Sequence, residues 1–86
     1  MILSERYPTT KIKYDIPKKA DYDNIQLVSL VIYDILGKEI SILVNENQKP
    51  GYYEVEWNAT NLSSGIYFIK LRADNGLKFR KMVLLK

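Results

Sequence analysis

Along most of this chain hydrophobic and polar residues alternate with a period of two, and turn residues break the alternation at intervals. That period puts successive side chains on opposite faces of an extended strand. Thr10 to Ile16 is the cleanest case, with Ile12, Tyr14 and Ile16 on one face and Lys11, Lys13 and Asp15 on the other. It reads as a half-buried strand with a solvated side. Pro17 ends it, because proline cannot donate to a ladder, and Lys18 to Asn24 reads as a loop. Ile25 to Asp34 is the most hydrophobic stretch. Val28, Leu30 and Ile32 share one face and Leu27, Val31 and Tyr33 the other, which predicts a central strand covered on both sides. Gly37 supplies a hairpin turn, and Lys38 to Val44 returns as a strand. There Ile42, Leu43 and Val44 are adjacent, and either a bulge or a strand end accounts for the break.

Asn45 to Gly51 reads as a loop with a Pro50-Gly51 turn of type II, glycine taking the positive-φ position. Tyr52 to Trp57 alternates again, with Tyr53, Val55 and Trp57 facing inward. Asn58 to Ser64 is a polar corner. Ile66 to Arg72 then forms a strand with Tyr67, Ile69 and Leu71 toward the core and Ile66 and Phe68 on a partly covered second face. Asn75-Gly76 suits a type I′ hairpin turn, and Leu77 to Lys86 is the last strand, with Met82 and Leu84 on one face. The run Leu62-Ser63-Ser64-Gly65-Ile66-Tyr67 has the make-up of a tyrosine corner, in which a hydroxyl at a strand's start bonds back to upstream backbone. An ordinary core tyrosine with a solvated hydroxyl fits the same residues.

Helical periodicity is absent, and turn signals recur about every 8–12 residues, as in a β-sandwich. A small closed barrel is the structural alternative. The predicted core is Val28, Leu30, Ile32, Tyr53, Val55, Trp57, Tyr67, Ile69 and Leu71.

Length and composition narrow the function more than the fold. Eighty-six residues make one domain. The net charge is +3, from 13 basic and 10 acidic residues. The basic clusters, Lys11 to Lys19 and Lys78 to Lys86, are weaker than a nucleic-acid footprint and read as solvated edges. No apolar run approaches the ~18 residues of a membrane span. The N-terminus is too short in apolar residues for a secretory signal, so export would need an upstream part and the chain is expected to be a fragment. Cysteine and histidine are both absent, which excludes thiolate chemistry, a Ser-His-Asp triad and a histidine-based metal site. Neither a phosphate loop nor a dinucleotide fingerprint occurs. Glu54 and Glu56 share a strand face, but a flat strand gives neither carboxylate the shifted pKa that paired catalytic acids need. Asn58-Ala59-Thr60 and Asn61-Leu62-Ser63 fit the short N-glycosylation pattern. Aromatics are 12% of the chain. Most fall on inward faces, leaving Tyr33 and Tyr52 as candidates for a sugar-stacking surface.

Four ordered segments carry a resemblance: Thr10 to Pro17, Ile32 to Ile40, Gly51 to Tyr67, and Lys81 to Lys86. Together they resemble the type A C-terminal sorting domain of the bacterial type IX (Por) secretion system. The resemblance covers nearly everything from Pro8 to Lys86. It implies an immunoglobulin-like sandwich of about seven antiparallel strands over residues 9–86, with residues 1–8 an entry segment or an artificial remnant. Of the Asn-Pro-rich opening usual in the family only Pro8 remains. The resemblance also implies a non-catalytic sorting signal for an upstream cargo. Its partners would be the type IX translocon and a sortase-like surface protease, with neither cofactor nor nucleic acid nor membrane insertion. The route would run through the periplasm to the outer-membrane surface or beyond. The implied recognition residues are Gly51 and Tyr53, then Leu62, Gly65 and Tyr67, then Lys81 and Lys86. A non-catalytic accessory or carbohydrate-binding module of a secreted enzyme is the alternative. Exposed edge strands predict a monomer or a weak edge-strand dimer.

Overall fold

The computed structural model describes residues 2–4, 9–18, 25–73 and 76–85. All regular structure within them is strand: β1 (Ile2–Ser4), β2 (Thr9–Ile16), β3 (Gln26–Asp34), β4 (Glu39–Gln48), β5 (Gly51–Asn58), β6 (Gly65–Ala73) and β7 (Gly76–Leu85). The strands form a five-stranded sheet, in order β1-β7-β6-β3-β4, and a two-stranded sheet, β2-β5. The six longer strands pair antiparallel, as the resemblance implies, whereas β1 lies parallel to the end of β7. The chain leaves the large sheet after β4, crosses to β5, and returns as β6 beside β3. That crossover makes an immunoglobulin-like sandwich.

The core lies between the sheets. Val28, Leu30 and Ile32 of β3, Tyr67 and Ile69 of β6, and Met82 and Leu84 of β7 are buried against Ile12, Ile16 and Trp57 of the small sheet. Tyr53, Val55 and Leu71 pack partly buried around them. The predicted faces of β2, β3, β5 and β6 therefore hold, because each of these strands keeps its parity from end to end. Two buried positions are not marked by hydrophobicity in the alternation, although Gln26 shares the inward parity of Val28. Ala59 sits beyond β5 at 0% exposure, and the buried Gln26 donates from Nε2 to the Pro17 carbonyl at 3.3 Å.

Three expectations need correction. Asn45 to Gln48 is not loop but the second half of β4, paired with Gln26 to Ser29; ladder hydrogen bonds to a central strand override its polar composition. Gly51 has φ +155°, well beyond the +80° of a type II turn, and opens β5 directly. The outer face of β3 is covered only at its middle, where Val31 is buried; Leu27 is 60% exposed. The adjacency of Ile42, Leu43 and Val44 is resolved as a bulge, since Leu30 pairs with Val44 but Val31 with Ile42, so that Leu43 is the extra residue. A second irregularity leaves Ile40 over, and both extra side chains pack against the core. The hairpin at Gly37 forms with φ +86°. The Asp34 carboxylate holds it, accepting from the backbone N–H of Leu36 at 2.9 Å and of Lys38 at 2.8 Å. Pro8, most of the Lys18–Asn24 loop, Asp74-Asn75 and Lys86 lie outside the described residues.

Candidate functional site

The residues that the resemblance singles out are built from one repeated device. Tyr67, at the start of β6, donates its hydroxyl to the Ser63 carbonyl at 2.8 Å. Tyr53, at the start of β5, donates its hydroxyl to the Lys49 carbonyl at 2.5 Å. In both cases the acceptor lies four residues upstream and a glycine stands two residues before the tyrosine. Gly51 and Gly65 open their strands at φ +155° and +158°, which L side chains avoid. That backbone folds the preceding loop under the tyrosine ring: a Cβ on Gly65 would lie 4.0 Å from the Tyr67 ring, and one on Gly51 3.8 Å from that of Tyr53. The corner reading is therefore correct at Tyr67, and the same geometry at Tyr53 is one the sequence reading missed. The repeated Gly-x-Tyr spacing was its signal.

Aromatic contacts fix each ring. Tyr67 meets Trp57 edge to face at 6.1 Å, and Tyr53 stacks on Tyr14 at 5.5 Å. The Tyr14 hydroxyl donates to Gln48 at 3.0 Å. Burial pushes the Tyr14 phenol above its ordinary value of 10.0, aided by the Glu46 and Tyr53 charges and opposed by the Gln48 hydrogen bond. Leu62 is half-buried against the core, and its N–H donates to Ala59 at 3.1 Å. Asn58 tightens the same corner, accepting at Oδ1 from the Thr60 N–H at 2.9 Å and from the Thr60 hydroxyl.

These residues occupy two ends of the sandwich. Gly65 pairs with Leu84 and Tyr67 with Met82, while Lys81 stands exposed opposite Phe68. Leu62, Gly65, Tyr67 and Lys81 thus gather at the end where β7 finishes and β1 enters. Gly51 and Tyr53 sit toward the other end of β5, roughly 23 Å and 17 Å from Asn58 at ~3.3 Å per residue. Lys86 is outside the described residues.

Other candidates are dispersed. Tyr52 is 93% exposed on the outer face of the small sheet, and Tyr33 lies on the outer face of the large one, beneath the Lys70 ammonium at 4.9 Å. The two tyrosines point away from opposite faces and form no common platform. Glu54 pairs with the exposed Lys11 at 3.7 Å, a solvated contact of little energetic weight. Among the described residues no three metal-ligating side chains come together, and no helix is long and apolar enough to cross a membrane.

The ordered pieces — both corners, the Asp34 hairpin and the terminal strand — fall within one family match. The family model of the secretion system C-terminal sorting domain matches residues 8–85. The chain belongs to that family. It is a sorting-domain family of type IX secretion, whose role is to mark proteins for secretion rather than to catalyse. Both Gly-x-Tyr corners lie inside the match, and β1 lies ahead of it. Comparisons with curated proteins and with solved structures return no match.

Proposed function

We propose that this domain directs a cargo joined ahead of it across the outer membrane through the type IX translocon, and that a sortase-like protease at the cell surface then removes it. The cargo would pass through the periplasm and end at the surface or outside the cell. The surface read by the translocon is the corner end of the sandwich, with Leu62, Gly65 and Tyr67 shaping it and Lys81 supplying charge; Lys86, the other implied recognition residue, lies outside the described residues.

One observation carries this reading beyond family membership. Met82 is 0% and Leu84 1% exposed. The last strand is thus a fixed part of the core, locked beside the Tyr67 corner, and it presents Lys81 on an ordered surface instead of a loose tail. Gly51 and Tyr53, far from that end, act in this reading by folding the sandwich and not by contact with the translocon.

The test is a fusion of the 86-residue domain behind a periplasmic reporter in a host with an intact type IX system. Surface delivery of the reporter that is lost in a translocon-deficient strain is the expected result. A reporter that stays in the periplasm of the intact host overturns the proposal. Cleavage between reporter and domain, followed by the size of the delivered reporter, tests the protease step separately.

A further inference from the structure

The sandwich is open along one side. β2 pairs only with β5 among the described residues, and β1 covers the outer edge of β7 only from Val83 to Leu85. The outer edge of β2 and the Gly76–Met82 stretch of β7 therefore face each other with ladder positions that no other described strand fills. A cavity of about 160 Å³ lies between them, and a second of about 290 Å³ continues it, with Asp15, Leu71 and Lys78 shared by both. Neighbouring residues of both parities line the first: Lys13, Tyr14 and Asp15 on β2, and Lys78, Phe79 and Arg80 on β7. A cavity between two sheet faces would meet one parity from each strand, so this channel lies at the strand edges. Its floor is apolar, made by Ile12, Leu30, Ile69 and Leu71, with Ile16 and Ala73 further along. Its rim carries Lys13, Lys78 and Arg80 against one carboxylate, Asp15. Among the described residues Lys78 and Arg80 form no ion pair.

We propose that this channel receives one extended, acidic segment of a partner protein, which adds as a strand to the edge of β2 from Ile12 to Ile16. Each feature meets one requirement of strand addition. The edge backbone supplies main-chain hydrogen bonds, the apolar floor takes alternate side chains, and the cationic rim meets carboxylates on the others. Charge also selects against a second copy of the chain. Each copy carries a net +3, and pairing through this side would bring the Lys13, Lys78 and Arg80 rims together, which like-charge repulsion disfavours. The inference stands apart from the sorting function, because it is read as binding and not as export.

The probes are two synthetic peptides of one length, one alternating valine with glutamate and the other valine with lysine. Each is titrated into the isotopically labelled 86-residue chain and followed by amide chemical shifts. The glutamate peptide is expected to move the amides of Ile12 to Ile16 and Lys78 to Arg80. The Lys78→Glu/Arg80→Glu variant should weaken it by about tenfold or more and bind the lysine peptide instead. Both side chains are exposed, so the variant should melt with the parent; a Lys78→Gln/Arg80→Gln variant, weakened for the glutamate peptide but without the reversal, replaces it if charge reversal disturbs the fold. Four results overturn the proposal. They are no binding at millimolar peptide, equal binding of both peptides, shifts confined to the outer face of the large sheet, and shifts at β2 that appear with protein concentration alone, which would make a second copy the occupant.

Discussion

At the scale of single residues, the two Gly-x-Tyr corners separate what the sequence shows from what it hides. Gly65 and Tyr67 were readable because a turn-borne leucine and glycine ahead of a strand-opening tyrosine have a known geometry. Gly51 and Tyr53 have the same spacing, yet Pro50-Gly51 also spells a type II turn, and only the Lys49 carbonyl beneath the ring decides between them. The corners should differ in energy. The Tyr67 hydroxyl is bonded in part-buried surroundings and Tyr53 in exposed ones. Tyr67→Phe should therefore cost about 1 kcal/mol in a urea melt, and Tyr53→Phe less. In Gly65→Ala the new Cβ meets nothing closer than 4.0 Å, so its expected cost of about 1 kcal/mol or more is backbone strain at positive φ and not a clash. Tyr14 adds a pH effect. Its pKa is raised in the folded state, so its contribution is complete below the unfolded value near 10.0 and fades as pH rises through the folded one. Melts of the parent should lose stability with pH above that point more steeply than melts of Tyr14→Phe.

Individual strands were legible where one face is buried and the other wet. β2 and β5 alternate cleanly because their outer faces meet only water. β4 was not legible past Val44, because an edge strand paired with a central one needs little hydrophobicity of its own, and before Val44 two bulges scramble its parity. β7 divides in the middle. Met82 and Leu84 are buried, while Lys78, Arg80 and the 64%-exposed Phe79 stand at its open half. Truncation should follow that division. Met82→Ala and Leu84→Ala are each expected to cost about 2–5 kcal/mol, since each leaves a cavity at a fully buried site. Phe79→Ala should stay within about 0.5 kcal/mol. Denaturant midpoints compare the three directly, and a Phe79 effect as large as that of Met82 would mean that the open half of β7 is covered in solution.

The whole molecule sets the sorting residues in relation to one another. The sequence lists Gly51, Tyr53, Leu62, Gly65, Tyr67, Lys81 and Lys86 as one ordered pattern, and only the crossover from β5 to β6 reveals that the first two stand at the far end of the sandwich. A pattern held in common across a family therefore mixes residues that build the fold with residues that face a partner, and spacing alone cannot sort them. Separating stability from delivery does so. Lys81 is exposed on the outer face of the large sheet, opposite Phe68. Exposed charges contribute little to stability, whereas a recognition surface depends on them for orientation and encounter rate. Changing Lys81 and Lys86 together to Ala in the reporter fusion should leave the melting temperature nearly unchanged and still reduce surface delivery. Deleting Lys81 to Lys86 should abolish delivery and also lower the melting temperature, because Met82 and Leu84 leave the core with it. Gly51→Ala should do the reverse of the double substitution, lowering the melting temperature while export per folded molecule stays at the parent level. If the double substitution is delivered normally, charge at the corner end is no part of the signal, and the buried strand with its tyrosine corner carries recognition alone.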